Sequence, residues 1–215
     1  MNFVDPDGKD IYRYDDKSGE VILVEENDDE FDQVGIFKYD RKTGEHTIST
    51  KKDGTARTRI DHIEKGILNK NGTNFFIDTC IDLYGENRPS IEGVQQFLLD
   101  FSNMIDKEVG GYYVSEIGME AIRYVTIGKV QNNTADKAFP GSPYNALKNI
   151  PGFNIDNYNI ILNYHTHLSR FSDYDRLRPS SLGQNDGDIG FKNRLLSKFP
   201  TMKFMIITDP TPFLY

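Results

Sequence analysis

Cysteine is almost missing from this chain: Cys80 is the only one in 215 residues. That excludes an internal disulfide and any multi-cysteine metal site, and leaves Cys80 to pack as a small apolar side chain. Long apolar runs are missing too. None approaches the ~20 residues that a membrane-crossing helix needs, and no segment reads as a signal peptide. Positive charge is in deficit, with 25 Lys and Arg against 33 Asp and Glu and a net charge of −8. A chain with that balance lacks the basic surface that displaces counterions from phosphates, so nucleic acid is not an expected partner. Histidine is also scarce, at four residues, so two of them standing together carry information. What is present is enough apolar material, 37% hydrophobic and 12% aromatic, for one substantial core and an appendage.

The first third has its own texture. Residues 11–20, Ile-Tyr-Arg-Tyr-Asp-Asp-Lys-Ser-Gly-Glu, recur as 36–45, Ile-Phe-Lys-Tyr-Asp-Arg-Lys-Thr-Gly-Glu. Each copy alternates apolar and polar residues, turns at Ser-Gly or Thr-Gly and resumes with an apolar stretch, which predicts two β-hairpins. Two copies do not make a solenoid. The expectation is a small β-hairpin appendage over 1–68, with the acidic run 25–32 as an exposed connection, ahead of a domain over 69–215.

Within 69–215 the coarse reading is a strand over 75–84, a helix over 91–105 and strands over 112–117 and 122–128. A Pro- and Gly-containing stretch with a short helix at 144–149 follows, then a strand over 158–164, a helix over 186–198 stopped by Pro200, and a strand over 203–208. Ser90 is placed to cap the first helix, whose apolar residues Val94, Phe97, Leu98, Phe101 and Ile105 should cover one face of a sheet. The fold class is α/β (α+β), a mixed β-sheet flanked by helices.

The strand over 158–164 delivers His165-Thr166-His167. Residues i and i+2 of an extended segment point to the same side, so both imidazoles can face one ion while Thr166 faces away. A carboxylate shortly after would complete three protein ligands for Zn²⁺ and leave a position for water. The other two histidines, His46 and His62, lie among charged residues and read as solvated. Upstream, Glu108 follows the first helix, and Gly110-Gly111 after it permit a tight turn or a close approach. A carboxylate held there is a candidate general base.

Glu108-Val109-Gly110-Gly111 followed by His165-Thr166-His167 resembles the MPN/JAMM metalloproteases, whose pattern runs glutamate, His-Ser/Thr-His, Ser-x-x-Asp. The similarity spans roughly 90–208 and is closest to the JAB-like domains at the ends of bacterial polymorphic toxins. It implies the cytidine-deaminase-like sandwich and a zinc-dependent peptidase or isopeptidase. Its substrate would be a protein or peptide, with ubiquitin-like conjugates among the options. Asn2-Phe3-Val4-Asp5-Pro6-Asp7-Gly8 resembles the end of the signature that closes an Rhs-type repeat core. That implies the C-terminal part of a larger secreted or surface-delivered protein, acting in a target cell and paired with a cognate immunity protein. Read without that likeness, Asp-Pro-Asp-Gly is a turn.

The family's usual spacing would put its serine and aspartate at Asp175 and Arg178. Arg178 cannot ligate a cation, so the aspartate is sought downstream: Asp188 first and Asp186 second, each of which would otherwise serve the helix dipole. Asn185-x-x-Asp188 reproduces the capping arrangement of Ser-x-x-Asp. By the resemblance, His165, His167 and Asp188 hold Zn²⁺, and Glu108 moves the proton in amide hydrolysis. Asn185 or Ser181, with Ser180 as another option, stabilises the oxyanion. Leu168 stands where many relatives carry proline. The competing readings are an MPN-like binding module without catalysis, a His-x-His phosphoesterase or amidohydrolase, and a metal-dependent nuclease toxin.

Overall fold

A computed structural model describes residues 10–27, 30–84, 88–148, 150, 152–179, 187–209 and 211–215. The turn at 2–8 and the candidates Ser180, Ser181, Asn185 and Asp186 lie outside the described residues.

The described chain is mixed α/β. Its N-terminal part builds strands β1 (Asp10–Tyr14), β2 (Glu20–Glu25), β3 (Phe31–Gly35), β4 (Phe37–Tyr39), β5 (His46–Ile48), β6 (Thr58–Glu64) and β7 (Thr73–Asn74). The remainder gives β8 (Thr79–Asp82), α1 (Ile91–Ile105), β9 (Gly110–Glu116), β10 (Ile122–Ile127) and α2 (Pro143–Leu147), followed by β11 (Tyr158–Thr166), α3 (Asp173–Arg176), α4 (Gly187–Leu196), β12 (Lys203–Ile207) and β13 (Phe213–Leu214). The five-stranded sheet runs β6-β3-β1-β2-β7 and the six-stranded sheet β13-β12-β11-β9-β10-β8, while β4 and β5 pair alone. Only β1/β3 and β11/β12 are parallel among the paired strands described.

The repeat folds as the alternation predicts. The first copy makes the β1–β2 hairpin and the second the β4–β5 hairpin. The stretch between them departs from the expectation of an exposed acidic connection at its end: Glu26 and Glu30 are exposed, but Asp32 lies inside β3, 1% exposed. Its carboxylate and that of Asp10 on β1 each stand 2.7 Å from the Lys65 ammonium. Burial pushes Asp32 up to about 6 against the opposing pull of Lys65. One cation thus ties β1 and β3 to the turn after β6. Lys65→Met would leave two carboxylates in the interior without a counter-ion and is expected to cost about 3 kcal/mol, read from the shift of the urea midpoint.

Helix α1 begins where the sequence places it. The Ser90 hydroxyl accepts from the Gly93 amide at 2.9 Å and donates to Glu64 at 2.8 Å, so β6 holds the cap. Asp106 ends the helix in the left-handed region at φ 56° and turns the chain toward Glu108. The helix covers two sheets rather than one. One cluster joins Tyr12, Val21, Val34 and Ile60 of the five-stranded sheet, Val94, Phe97, Leu98 and Phe101 of α1, and Tyr113, Val125 and Tyr164 of the six-stranded sheet. Phe101 meets Tyr14 edge-on at 5.6 Å and Phe75 at 4.3 Å. The core therefore runs continuously past residues 68/69, with Leu68 among its buried members.

The opposite face of the six-stranded sheet carries a second cluster: Tyr112, Val114, Tyr124, Leu147 and Phe204, against Phe191 and Leu195 of α4. Cys80 packs at its edge, its thiol pushed up to about 11 by burial. The strand expected over 75–84 is shorter: β8 covers only Thr79–Asp82 of it, and β7 lies just ahead of that range in the five-stranded sheet. Among the described residues, no helix is long and apolar enough to cross a membrane.

Candidate metal centre

Strand β11 lies between β9 and β12, and its register decides what the histidines face. His165 stands opposite Gly110 on antiparallel β9 and Ile206 on parallel β12. Strand alternation sends Tyr164 and Thr166 toward α1 and sends His165 and His167 to the face that α4 covers. Their Nε2 atoms meet at 3.0 Å. Asp188, in the first turn of α4, brings Oδ1 to 3.4 Å from His165 Nε2 and Oδ2 to 3.7 Å from His167 Nε2. Together the three make a cluster able to hold a metal ion.

The donor set fits such an ion. Atoms that share a tetrahedral ion about 2.1 Å away lie about 3.4 Å apart, and the three separations bracket that value. The protonation of one ring is dictated by its partner: His167 Nδ1 faces the Arg176 carbonyl at 3.0 Å. A carbonyl only accepts, so Nδ1 carries the proton and Nε2 presents its lone pair to the cluster. The His167 amide donates to Ile207 at 3.0 Å, and Leu168 beyond it is buried, locking the strand end in place.

Glu108 is on the same side. Its Oε1 stands 3.8 Å from His167 Nε2, and the residue is 6% exposed. Burial first, then the charges of Asp188 and Asp136, push it up to about 9, while a backbone hydrogen bond from Ala138 opposes the rise. Its main chain is held at every group. The Glu108 amide donates to Thr134 at 2.9 Å, and its carbonyl accepts from Asn133 Nδ2 at 2.8 Å. The flanking peptides are tied into a directed chain. The Val109 amide donates to Thr166 Oγ1 at 2.8 Å, and the Thr166 and Ser102 hydroxyls lie 2.7 Å apart. The Ser102 hydroxyl donates to the Lys107 carbonyl at 2.5 Å. Because that uses the only Ser102 proton, Thr166 must donate to Ser102. The residue between the histidines therefore fixes the glutamate relative to them.

The structure thus brings together His165, His167, Asp188 and Glu108. Asn185 and Ser181 lie outside the described residues. His46 and His62 are exposed and far from the cluster in sequence and fold. Arg178 is exposed, whereas Asp175 lines the cleft beside the cluster together with Asp136 and Phe171.

Sequence reasoning missed Ser102, Asn133, the Arg176 carbonyl and Tyr215. The Tyr215 ring meets that of His165 edge-on at 6.3 Å. Ser102, a polar residue in the last turn of α1 on an otherwise apolar face, is a local signal; nothing local marks the others. Comparison with family models, with curated proteins and with solved structures finds no significant match to this chain.

Proposed function

We propose that this chain is a zinc-dependent metallopeptidase of MPN/JAMM type, cutting peptide or isopeptide bonds as the effector domain of a larger Rhs-type protein. The observation that carries the reading is a buried carboxylate poised beside a three-ligand cluster, Glu108 Oε1 3.8 Å from His167 Nε2. When bound, zinc supplies a Lewis acid that polarises a carbonyl and makes water nucleophilic near neutral pH.

The protein's own groups do the rest. His165, His167 and Asp188 hold the ion, and the Arg176 carbonyl keeps His167 in the ligating tautomer. Glu108 takes a proton from the attacking water and returns it to the leaving amine. Its burial favours the protonated form and so suits the return of the proton, while the positive charge of a bound ion would favour the ionised form that accepts it. The Ser102–Thr166 chain and Asn133 keep Glu108 in register with the histidines. Asn185 or Ser181 is assigned the oxyanion.

Metal analysis of protein purified from zinc-replete medium is expected to find one zinc per chain, and His167→Ala to lose it. Incubation of the zinc-loaded protein with a peptide library is expected to yield new N-termini detectable by mass spectrometry. Absence of zinc from the wild-type protein would favour a binding module without catalysis. Nicking of plasmid DNA in place of peptide cleavage would favour a nuclease.

A further inference from the structure

We propose that the cleft beside the metal centre is a subsite for a basic side chain, so that preferred substrates carry lysine or arginine next to the bond that is cut. This rests on the metallopeptidase reading and adds the substrate class. The cleft has a volume of about 250 Å³ and is lined by Glu108, Asp136, His167, Phe171, Asp175 and Asp188. Two of the three cluster residues, His167 and Asp188, and the buried Glu108 are part of its lining, so it adjoins the place where a bond would be cut.

Charge decides what fits. Among the described residues four carboxylates line the space, and a divalent ion at the cluster would offset two of their charges. An excess of negative charge persists even while Glu108 carries a proton. Asp136 and Asp175 are held at the rim by Thr134 and Ser172, whose hydroxyls donate to them at 2.7 Å each. A hydroxyl supplies no compensating charge, and among the described residues no Lys or Arg is ion-paired with either aspartate. Phe171 adds a half-buried aromatic wall against which an aliphatic stem lies; the Arg170 guanidinium, paired with Asp106, already stands 5.5 Å from the centre of that ring, so the cation's partners are the carboxylates. A long stem ending in a cation matches this lining; an acidic side chain would be repelled, and a purely apolar one would strip water from carboxylates without replacing it.

The test compares two probes with the same metal-binding head, lysine hydroxamate and norleucine hydroxamate, titrated calorimetrically into the zinc-loaded full chain at low salt. The lysine probe is expected to bind about tenfold more tightly, as one new charge pair in a partly screened cleft gives. In the Asp136→Asn/Asp175→Asn double variant that preference is expected to fall below about threefold, with zinc stoichiometry and norleucine-hydroxamate affinity unchanged. Equal binding of the two probes, a preference that survives the double variant, or failure of both probes to bind a chain carrying one zinc would each overturn the subsite while leaving the metal centre standing. Uptake of a second zinc that the double variant abolishes would overturn it as well, by showing that the aspartates hold a cation of their own. A wild-type chain that takes up no zinc removes the metallopeptidase reading and the subsite with it.

Discussion

Glu108→Gln is expected to keep one zinc per chain and to lower the rate of hydrolysis by about 10²–10⁴-fold, the range for loss of a positioned general base. The two side chains have nearly the same shape, and the amide oxygen of glutamine can still accept the Ala138 hydrogen bond. The main-chain ties to Thr134, Asn133, Thr166 and Ser102 do not involve the side chain and persist. What disappears is the capacity to accept a proton. Stability should move the other way. Burial raises Glu108 to about 9, so at neutral pH the metal-free fold must take up a proton that the unfolded chain does not hold; that uptake opposes folding, and a neutral amide relieves it. The metal-free variant should therefore melt no lower than metal-free wild type. His165→Ala supplies the contrast: removing one of three ligands is expected to eliminate both zinc and hydrolysis. Metal content and cleavage rate measured on the same preparations separate the roles. A Glu108→Gln protein that still cleaves would take the residue out of the reaction, and one that loses zinc would make Glu108 a ligand instead of a base.

Elements with a strong local signal were legible. Helix α1 has a serine cap and apolar residues at helical spacing, and its bounds coincide with 91–105. Strands β9 to β12 were foreseen to within a residue or two because each is apolar and flanked by turn residues. β3 and β6 were not foreseen, and the reasons are physical. In β3 the buried residues include Asp32 and Gln33, and Asp32 is tolerated only because Lys65, far along the chain, supplies its counter-charge. In β6 the buried residues Ile60 and Ile63 are three apart, since His62 at φ 57° interrupts the two-residue period. The site divides in the same way. The histidine pair announces itself through i, i+2 spacing on a strand, whereas Asp188 was reached through resemblance and its approach to 3.4 Å depends on how α4 packs. The Arg176 carbonyl stands at the end of the four-residue α3 and the Asn133 amide belongs to a loop, and no periodicity encodes the position of either.

Gly111→Ala is expected to cost about 4 kcal/mol or more and to leave little folded protein at 37 °C. The sequence allows a tight turn or a close approach at this residue, and the structure shows the second. A Cβ built on Gly111 would stand 1.8 Å from the Thr126 carbonyl oxygen and 2.8 Å from the Tyr164 hydroxyl. Neither neighbour can retreat cheaply. The Thr126 carbonyl belongs to β10 within the sheet, and the buried Tyr164 hydroxyl donates to that same oxygen at 2.8 Å. Making room means parting β9 from β10 at the end of the sheet where Tyr164 stands one residue before His165 and Gly111 three after Glu108. Loss of stability and loss of the site should therefore come together. Gly110→Ala is the control: its Cβ would lie 3.1 Å from the Tyr164 carbonyl oxygen and 3.2 Å from the Ala138 methyl, contacts that a shift of a few tenths of an ångström relieves. Urea unfolding of the two variants, followed by circular dichroism, should place Gly111→Ala well below Gly110→Ala. Equal midpoints would mean that β9 and β10 yield at Gly111 and that the close approach is not a constraint on the glutamate.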